Sequence, residues 1–436
     1  MEQKRQARGG GNEISARCTT RASLCEDLVT EIFSRLPARS AARCAALSRR
    51  WRKLINDPDF WIHHHCPPWP DLNIAYVHEY PDEPGEWALQ HAFHLVDPPR
   101  DLAHGFLSST HHRLAYRYAG TCNGLVALQV QGLYDPRFFA CVVLNPATTE
   151  EASLVYLGLG EERHLCGFGY GPASRTYKLL VVSRERGCFY GGPLQVLSLA
   201  GGGRGEARTV FPEADGSTTF SLCIGGKVYL LDERRLRVLA FDVDSETIST
   251  VQLPAAGIVC SDLMEVGNRL CIAMHNEDED EILLWLLTSS LEWERRCALR
   301  HVAEPRDWSF HCWVVGAWDC GENRLLAWYR GQGLRLYDMR GMASYAGARE
   351  PAGRWTLEDQ TDSGDHLRRG YGQYRLCWGY RPTAISPKIA VGNCTGIVPP
   401  VLCSFRSSRR TPERRRMQFF DVLSGLVRAL LLGEEI

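Results

Sequence analysis

From about Phe106 to Ile397 helical spacing nearly vanishes from this chain. Short β-branched and aromatic stretches alternate there with Gly, Asp and Asn turns, the pattern of strands joined tightly to their neighbours. Five hairpins are predicted. They pair Gly124–Val130 with Phe138–Leu144, Ser221–Ile224 with Lys227–Leu231 across Gly225-Gly226, and Leu236–Asp242 with Thr247–Leu253. Arg269–Met274 with Ile282–Leu287 and Trp313–Trp318 with Arg324–Tyr329 complete the set. Two-residue Gly-Gly connections supply the left-handed turn conformation that suits the twist of antiparallel strands.

Comparable strands centred near Tyr229, Ile272 and Leu326 recur every ~40–55 residues, a period that fits a β-propeller better than a sandwich. About 300 residues divided by a blade of roughly 45 give six or seven blades. No WD or double-Gly signature repeats in register.

Composition narrows what such a chain does. At 436 residues it exceeds what one core supports, so a small domain beside the large one is expected. The net charge of −1 provides no global field toward nucleic acid or an anionic membrane, so any such role rests on a local patch, and no nucleic-acid partner is expected. The first residues carry charge but no apolar core, unlike a secretory signal. No apolar run approaches the roughly 20 residues of a membrane span. A soluble protein of the cytoplasm, the nucleus or both is the expectation. The 17 cysteines are scattered singly, and no C-x-x-C pair occurs, which removes zinc-finger and thioredoxin-type readings. Reduced thiols buried as small hydrophobes are predicted.

Ahead of the strands, residues 1–21 are polar and Gly-rich, and a disordered leader is expected. Ser23 to Trp61 then changes character. Ser23 and Glu26 have capping-box spacing, and Leu28, Val29, Ile32, Phe33 and Leu36 form one broad helical face. Pro37 stops that helix. Ser40 is placed to cap a second helix, and Ser48 a third that carries Trp51, Leu54 and Ile55. A unit of roughly 40 residues, with neither disulfide nor metal, buries too little surface to be comfortably stable alone. Such a module is expected to finish its core against another protein. The bland alternative is a helical hairpin packed on the rest of the chain.

The residues Leu24-Cys25-Glu26-Asp27-Leu28, Glu31-Ile32, Arg35-Leu36-Pro37, Leu47-Ser48-Arg49-Arg50-Trp51 and Asp57-Pro58-Asp59-Phe60 resemble the F-box in order and spacing. The resemblance implies binding to a Skp-family adaptor and, through it, cullin. Leu24, Leu28, Ile32, Leu36, Pro37, Leu47 and Trp51 occupy its adaptor-binding positions. One departure stands out: the family usually has proline where this chain has Cys25, so adaptor affinity is expected to be reduced but not abolished.

The strand region resembles the F-box-associated β-propeller domain of land-plant F-box proteins. Thr121-Cys122-Asn123-Gly124-Leu125, Leu144-Asn145-Pro146, Gly167-Phe168-Gly169-Tyr170 with Tyr177-Lys178, and Gly225-Gly226-Lys227-Val228-Tyr229 carry that likeness. So do Ala240-Phe241-Asp242, Trp285 with Trp293-Glu294, and Trp378-Gly379-Tyr380-Arg381-Pro382, which resembles a closing strand. Turn and blade-core chemistry explains nearly all of these residues.

Other constellations are weaker. Gly167-Phe168-Gly169-Tyr170-Gly171 is followed by a turn and a strand, whereas a phosphate cradle needs a helix there. Adjacent ligands such as His63-His64-His65-Cys66 point in different directions, so a linker explains them better than a metal site. Glu277-Asp278-Glu279-Asp280-Glu281 reads as a solvated hairpin tip or a lure for basic partners. Arg406, Arg409, Arg410 and Arg414–Arg416 precede an apolar stripe, Met417 to Leu431, with helical spacing. That tail is a docking helix, a basic surface patch or an inert terminus.

The expected architecture is therefore a leader at 1–21, a three-helix all-α F-box at 22–61 and a linker at 62–105 with room for first propeller strands. An all-β propeller at 106–400 and a basic tail at 401–436 follow. The expected function is substrate recognition in a Skp–cullin–F-box ubiquitin ligase, with an unidentified protein target and with no catalytic residue, metal or cofactor in this chain. A non-degradative scaffold is the alternative.

Overall fold

The computed structural model describes residues 25–36, 38–55, 57, 60–61, 74–80, 90–96, 103–109, 114–132, 138–145, 153–159, 163–183, 192–199, 207–214, 221–232, 236–254, 257–276, 278–279, 281–300, 314–319, 324–329, 333–339, 353–355, 373–378, 380, 383, 385–391 and 403–407. The 1–21 leader, Ser23, the His63–Cys66 run and the Met417–Leu431 stripe lie outside them.

Three short helices come first: α1 (Glu26–Ser34), α2 (Ala38–Cys44) and α3 (Arg49–Ile55). Cys25, not Ser23, is the N-cap of α1, and no side chain caps it. Ser40 falls inside α2 instead of capping it. Ser48 does cap α3, accepting the Trp51 amide at 3.0 Å.

Strands begin inside the 62–105 stretch read as a linker with room for first propeller strands: β1 (Ile74–Tyr80), β2 (Gln90–Val96) and β3 (Ala103–Ser109). The next antiparallel sheet holds β4 (Leu114–Cys122), β5 (Leu125–Gly132), β6 (Phe138–Leu144) and β7 (Ser153–Leu159). Then come β8 (Arg163–Gly171), β9 (Thr176–Ser183), β10 (Gly192–Ser198) and β11 (Arg208–Ala214). A third meander holds β12 (Ser221–Ile224), β13 (Lys227–Asp232), β14 (Arg237–Asp242) and β15 (Ile248–Gln252). In the following sheet β16 (Ile258–Val259) and β17 (Met264–Val266) both pair with β18 (Arg269–Asn276), which continues to β19 (Glu281–Leu287) and β20 (Trp293–Arg300). The next holds β21 (Val314–Asp319), β22 (Arg324–Tyr329), β23 (Gly333–Asp338) and β24 (Gly353–Trp355). Finally β25 (Gln373–Leu376) returns to pair with β1, and β26 (Cys403–Ser407) with β3. The described residues thus form six antiparallel sheets, and strands from both ends of the chain share one of them. That arrangement suits a propeller closed by its own termini.

The predicted hairpins all form, and Tyr229, Ile272 and Leu326 fall on the second strand of three successive sheets, β13, β18 and β22. Equivalent turns carry paired left-handed residues: Asn123-Gly124 (φ 51°, 75°), Gly225-Gly226 (φ 56°, 78°) and Gly267-Asn268 (φ 59°, 60°). The strand closing the ring ends at Leu376, just before Trp378, which instead stacks on Trp318 with centroids 5.5 Å apart.

The glycine run at 167–171 is a strand face. A Cβ on Gly169 would sit 2.5 Å from Val228 Cγ2 and 2.9 Å from Val243 Cγ2 of the next sheet. These glycines let two sheets approach closely. Further ties cross the same boundary: Asp244 accepts the amides of Ala173 (3.0 Å) and Ser174 (2.7 Å), and Lys178 pairs with Glu246 (2.7 Å). At the next boundary the Trp293 indole donates to the Gln252 carbonyl at 2.8 Å.

Candidate interaction site

The helical module splits its apolar residues between two sides. Val29, Phe33, Ala41, Ile55, Phe60 and Trp61 are buried and belong to one continuous apolar cluster with Ala119, Cys122 and Leu125 of the β4–β7 sheet and with Ile385 and Ala390. The Phe33 ring meets Trp51 edge-on at 5.1 Å, and the Trp61 indole donates to the Ile55 carbonyl at 2.6 Å. Part of the core expected to need a foreign protein is therefore completed within the chain. This is a real departure from the sequence expectation.

The seat has identifiable anchors. Asp57 accepts from Arg175, in the β8–β9 turn, at 3.1 Å. The buried Asn145 amide donates to the carbonyls of Thr383 (3.0 Å) and Ile385 (2.8 Å), and the Thr383 hydroxyl donates to the Asn123 carbonyl at 3.1 Å. These bonds hold the stretch leading into α4 (Pro387–Val391), whose Ala390 and Val391 join the shared cluster. The β4–β5 and β8–β9 turns thus mark the end of the sheets that carries the helices.

Three of the residues assigned to adaptor binding stay uncovered. Leu28 is 49% exposed, Ile32 44% and Leu47 70%. Leu28 and Ile32 are one helical turn apart and share a face. Leu36 and Trp51, from the same set, are partly buried and pack on the shared cluster instead. Leu24 and Pro37 lie outside the described residues. Periodicity had merged Leu28–Ile32 and Val29–Phe33 into one face. They are two adjacent stripes, one outward and one inward.

The weaker candidates resolve as follows. Asp278 and Glu279 of the acidic run are exposed at the β18–β19 connection. Arg406 lies on β26, so the tail contributes a strand before the rest of it passes outside the described residues. Among the described residues no group of three or more His, Cys, Asp or Glu could hold a metal ion, and no helix is long and apolar enough to cross a membrane.

A small helical module with exposed aliphatic side chains, carried on a ring of antiparallel sheets, has the build of a protein-interaction platform. Comparison with known families makes this specific. A model described as F-box domain matches residues 22–63, and one described as F-box associated beta propeller domain matches residues 89–323, more than half of the chain. The chain belongs to the F-box proteins with an F-box-associated β-propeller domain. The F-box protein At1g46984 of Arabidopsis thaliana is 25% identical over 299 residues, covering 64% of this chain and 75% of that protein. The Arabidopsis F-box protein At4g09190 is 23% identical over 310 residues, covering 66% and 73%. Among solved structures, a nidogen/laminin complex aligns with 64% of this chain and 94% of its own at 10% identity, with a TM-score of 0.36, too low to bear on function.

Proposed function

We propose that this protein is the substrate-recognition subunit of a Skp–cullin–F-box ubiquitin ligase, working in the cytoplasm, the nucleus or both. The observation that carries the reading is the outward stripe of Leu28 and Ile32, with Leu47 beyond it. These side chains stay in solvent although the opposite side of the same helices is buried on the chain's own propeller. A Skp-family adaptor covers them, with Leu24, Leu36, Pro37 and Trp51 as the further adaptor-binding positions, and cullin follows through the adaptor. Holding a target near a charged conjugating enzyme raises effective concentration, so no residue of this chain has to react.

The helices occupy the end of the sheets marked by the β4–β5 and β8–β9 turns. The target is therefore presented at the opposite mouth, where β5, β9, β13 and β18 end.

Burying the exposed half of each aliphatic side chain is worth about 1 kcal/mol, so Leu28→Ala, Ile32→Ala and Leu47→Ala together should weaken adaptor binding by about 100-fold. Titration calorimetry with a purified Skp-family protein measures this on the full chain. The melting temperature should stay put, because exposed positions contribute little to folding. An adaptor that ignores the wild-type chain would sink the proposal. Proximity labelling identifies the targets, and their levels are then followed with and without proteasome inhibition in the wild type and the triple variant. Targets that accumulate on removing the stripe without the inhibitor, and reach equal levels in both chains with it, indicate degradation; levels that never differ indicate scaffolding.

A further inference from the structure

Cys122 ends β4 at the Asn123-Gly124 turn, and Cys223 stands on β12, 101 residues along the chain. A whole sheet, β8–β11, lies between them in sequence, yet their Sγ atoms are 3.2 Å apart. Backbone geometry imposes this closeness. Ser221 Oγ donates to the Ala119 carbonyl at 3.1 Å, and a Cβ on Gly120 would lie 3.1 Å from the same Ser221 Oγ and 3.2 Å from Phe168. The first strands of three successive sheets therefore converge here. Bond formation requires the sulfurs to close by a further ~1.2 Å, to about 2.0 Å.

The two thiols are not equivalent. Cys122 is buried and Cys223 only partly so, which makes Cys223 the less enclosed residue of the pair. The hydrogen bond between them pushes the Cys122 thiol up, and burial adds to this. The same bond pushes Cys223 down although burial opposes it. By contrast, burial pushes Cys141, Cys271, Cys297 and Cys377 up. A less buried sulfur in contact with a second, buried sulfur is the geometry of an oxidation-sensitive pair.

We propose that Cys122 and Cys223 form a reversible oxidation site, converted by hydrogen peroxide to a disulfide that ties the β4–β7 sheet to the β12–β15 sheet. Cys223 sulfur attacks the peroxide O–O bond and becomes a sulfenic acid; the hydroxide released takes the thiol proton and leaves as water. Cys122 sulfur, losing its own proton, displaces the sulfenic hydroxyl as a second water. Two thiols and one peroxide thus give one disulfide and two waters, with sulfur oxidised and peroxide reduced. Cys122 belongs to the apolar cluster on which the helices rest, and the carbonyl of its neighbour Asn123 holds Thr383. The bond would therefore stiffen the seat of the helical module.

The test uses the full-length protein, reduced and then exposed to hydrogen peroxide, with remaining thiols alkylated and the unreduced digest mapped by mass spectrometry. The expected dominant product is a crosslinked peptide pair containing Cys122 and Cys223, lighter than the two reduced peptides by two hydrogens and reversed by a thiol reductant. Closing so long a loop should also raise Tm by about 5 °C or more. Cys223→Ala, at the less buried position, should keep the untreated Tm while losing both the crosslink and the peroxide-induced rise. Recovery of Cys223 unmodified or as sulfinic acid without a crosslink overturns the proposal, as does a Tm rise that persists in Cys223→Ala.

Discussion

Cys25 caps α1 with φ −53°, inside the range a proline ring imposes. The residue that departs from the family pattern has kept the conformation that pattern prescribes. Cys25→Pro should therefore stabilise the protein by about 0.4–1 kcal/mol by restricting the unfolded chain, a gain readable by thermal or denaturant unfolding. The exposed Cys25 Sγ contact with Asp27, at 3.8 Å, is too long to offset this. Gly169 makes the opposite case. Adding its Cβ would push into Val228 and Val243, so Gly169→Ala should cost about 1–3 kcal/mol in denaturant unfolding. The turn glycines were readable from sequence, because a two-residue hairpin leaves few other choices. The role of Gly169 was not, since a glycine between strand residues does not say which neighbouring sheet comes near.

Among the elements, hairpins were the most legible and helix ends the least. Ser48 caps its helix as spacing predicts, while Ser40 lies inside α2, because a hydroxyl near a helix start is only one of several competing caps. The helical faces misled for a related reason: spacing gives the angle between stripes but not which body covers each. Joints between sheets depend on long-range partners, and there the Asp244 contact offers a pH test. Burial opposes its charge, but the bonds from Ser174 and Ala173, with Lys178 nearby, hold the carboxyl below its usual value. Since the folded value lies below the unfolded one of about 3.9, the contribution is complete above that pH and is lost as pH falls through the folded value. Asp244→Asn should cost about 1 kcal/mol at neutral pH, and the gap from wild type should shrink steadily below pH of about 4. Urea unfolding across a pH series checks this. A gap that stays constant would remove the carboxylate from the account.

For the whole molecule, the propeller class and approximate blade count followed from strand recurrence, whereas the site where the ring closes did not. Its partners, β1 and β25, are nearly 300 residues apart, and nothing local marks them as neighbours. A chain ending after residue 372 would lack both β25 and β26, leaving β1 and β3 as open edges. It should unfold less cooperatively than the full chain and self-associate, which calorimetry and size-exclusion chromatography would show.

That closure also sets a timetable. A ribosome adding about 5–20 residues per second needs roughly 15–60 s to get from the first strand to its last partner. Throughout that interval the nascent ring waits with a hydrogen-bonding edge unsatisfied, and neighbouring polysomal copies carry the same edge. Protection by chaperones should matter most late in translation, when nearly every sheet is made and the circle is still open.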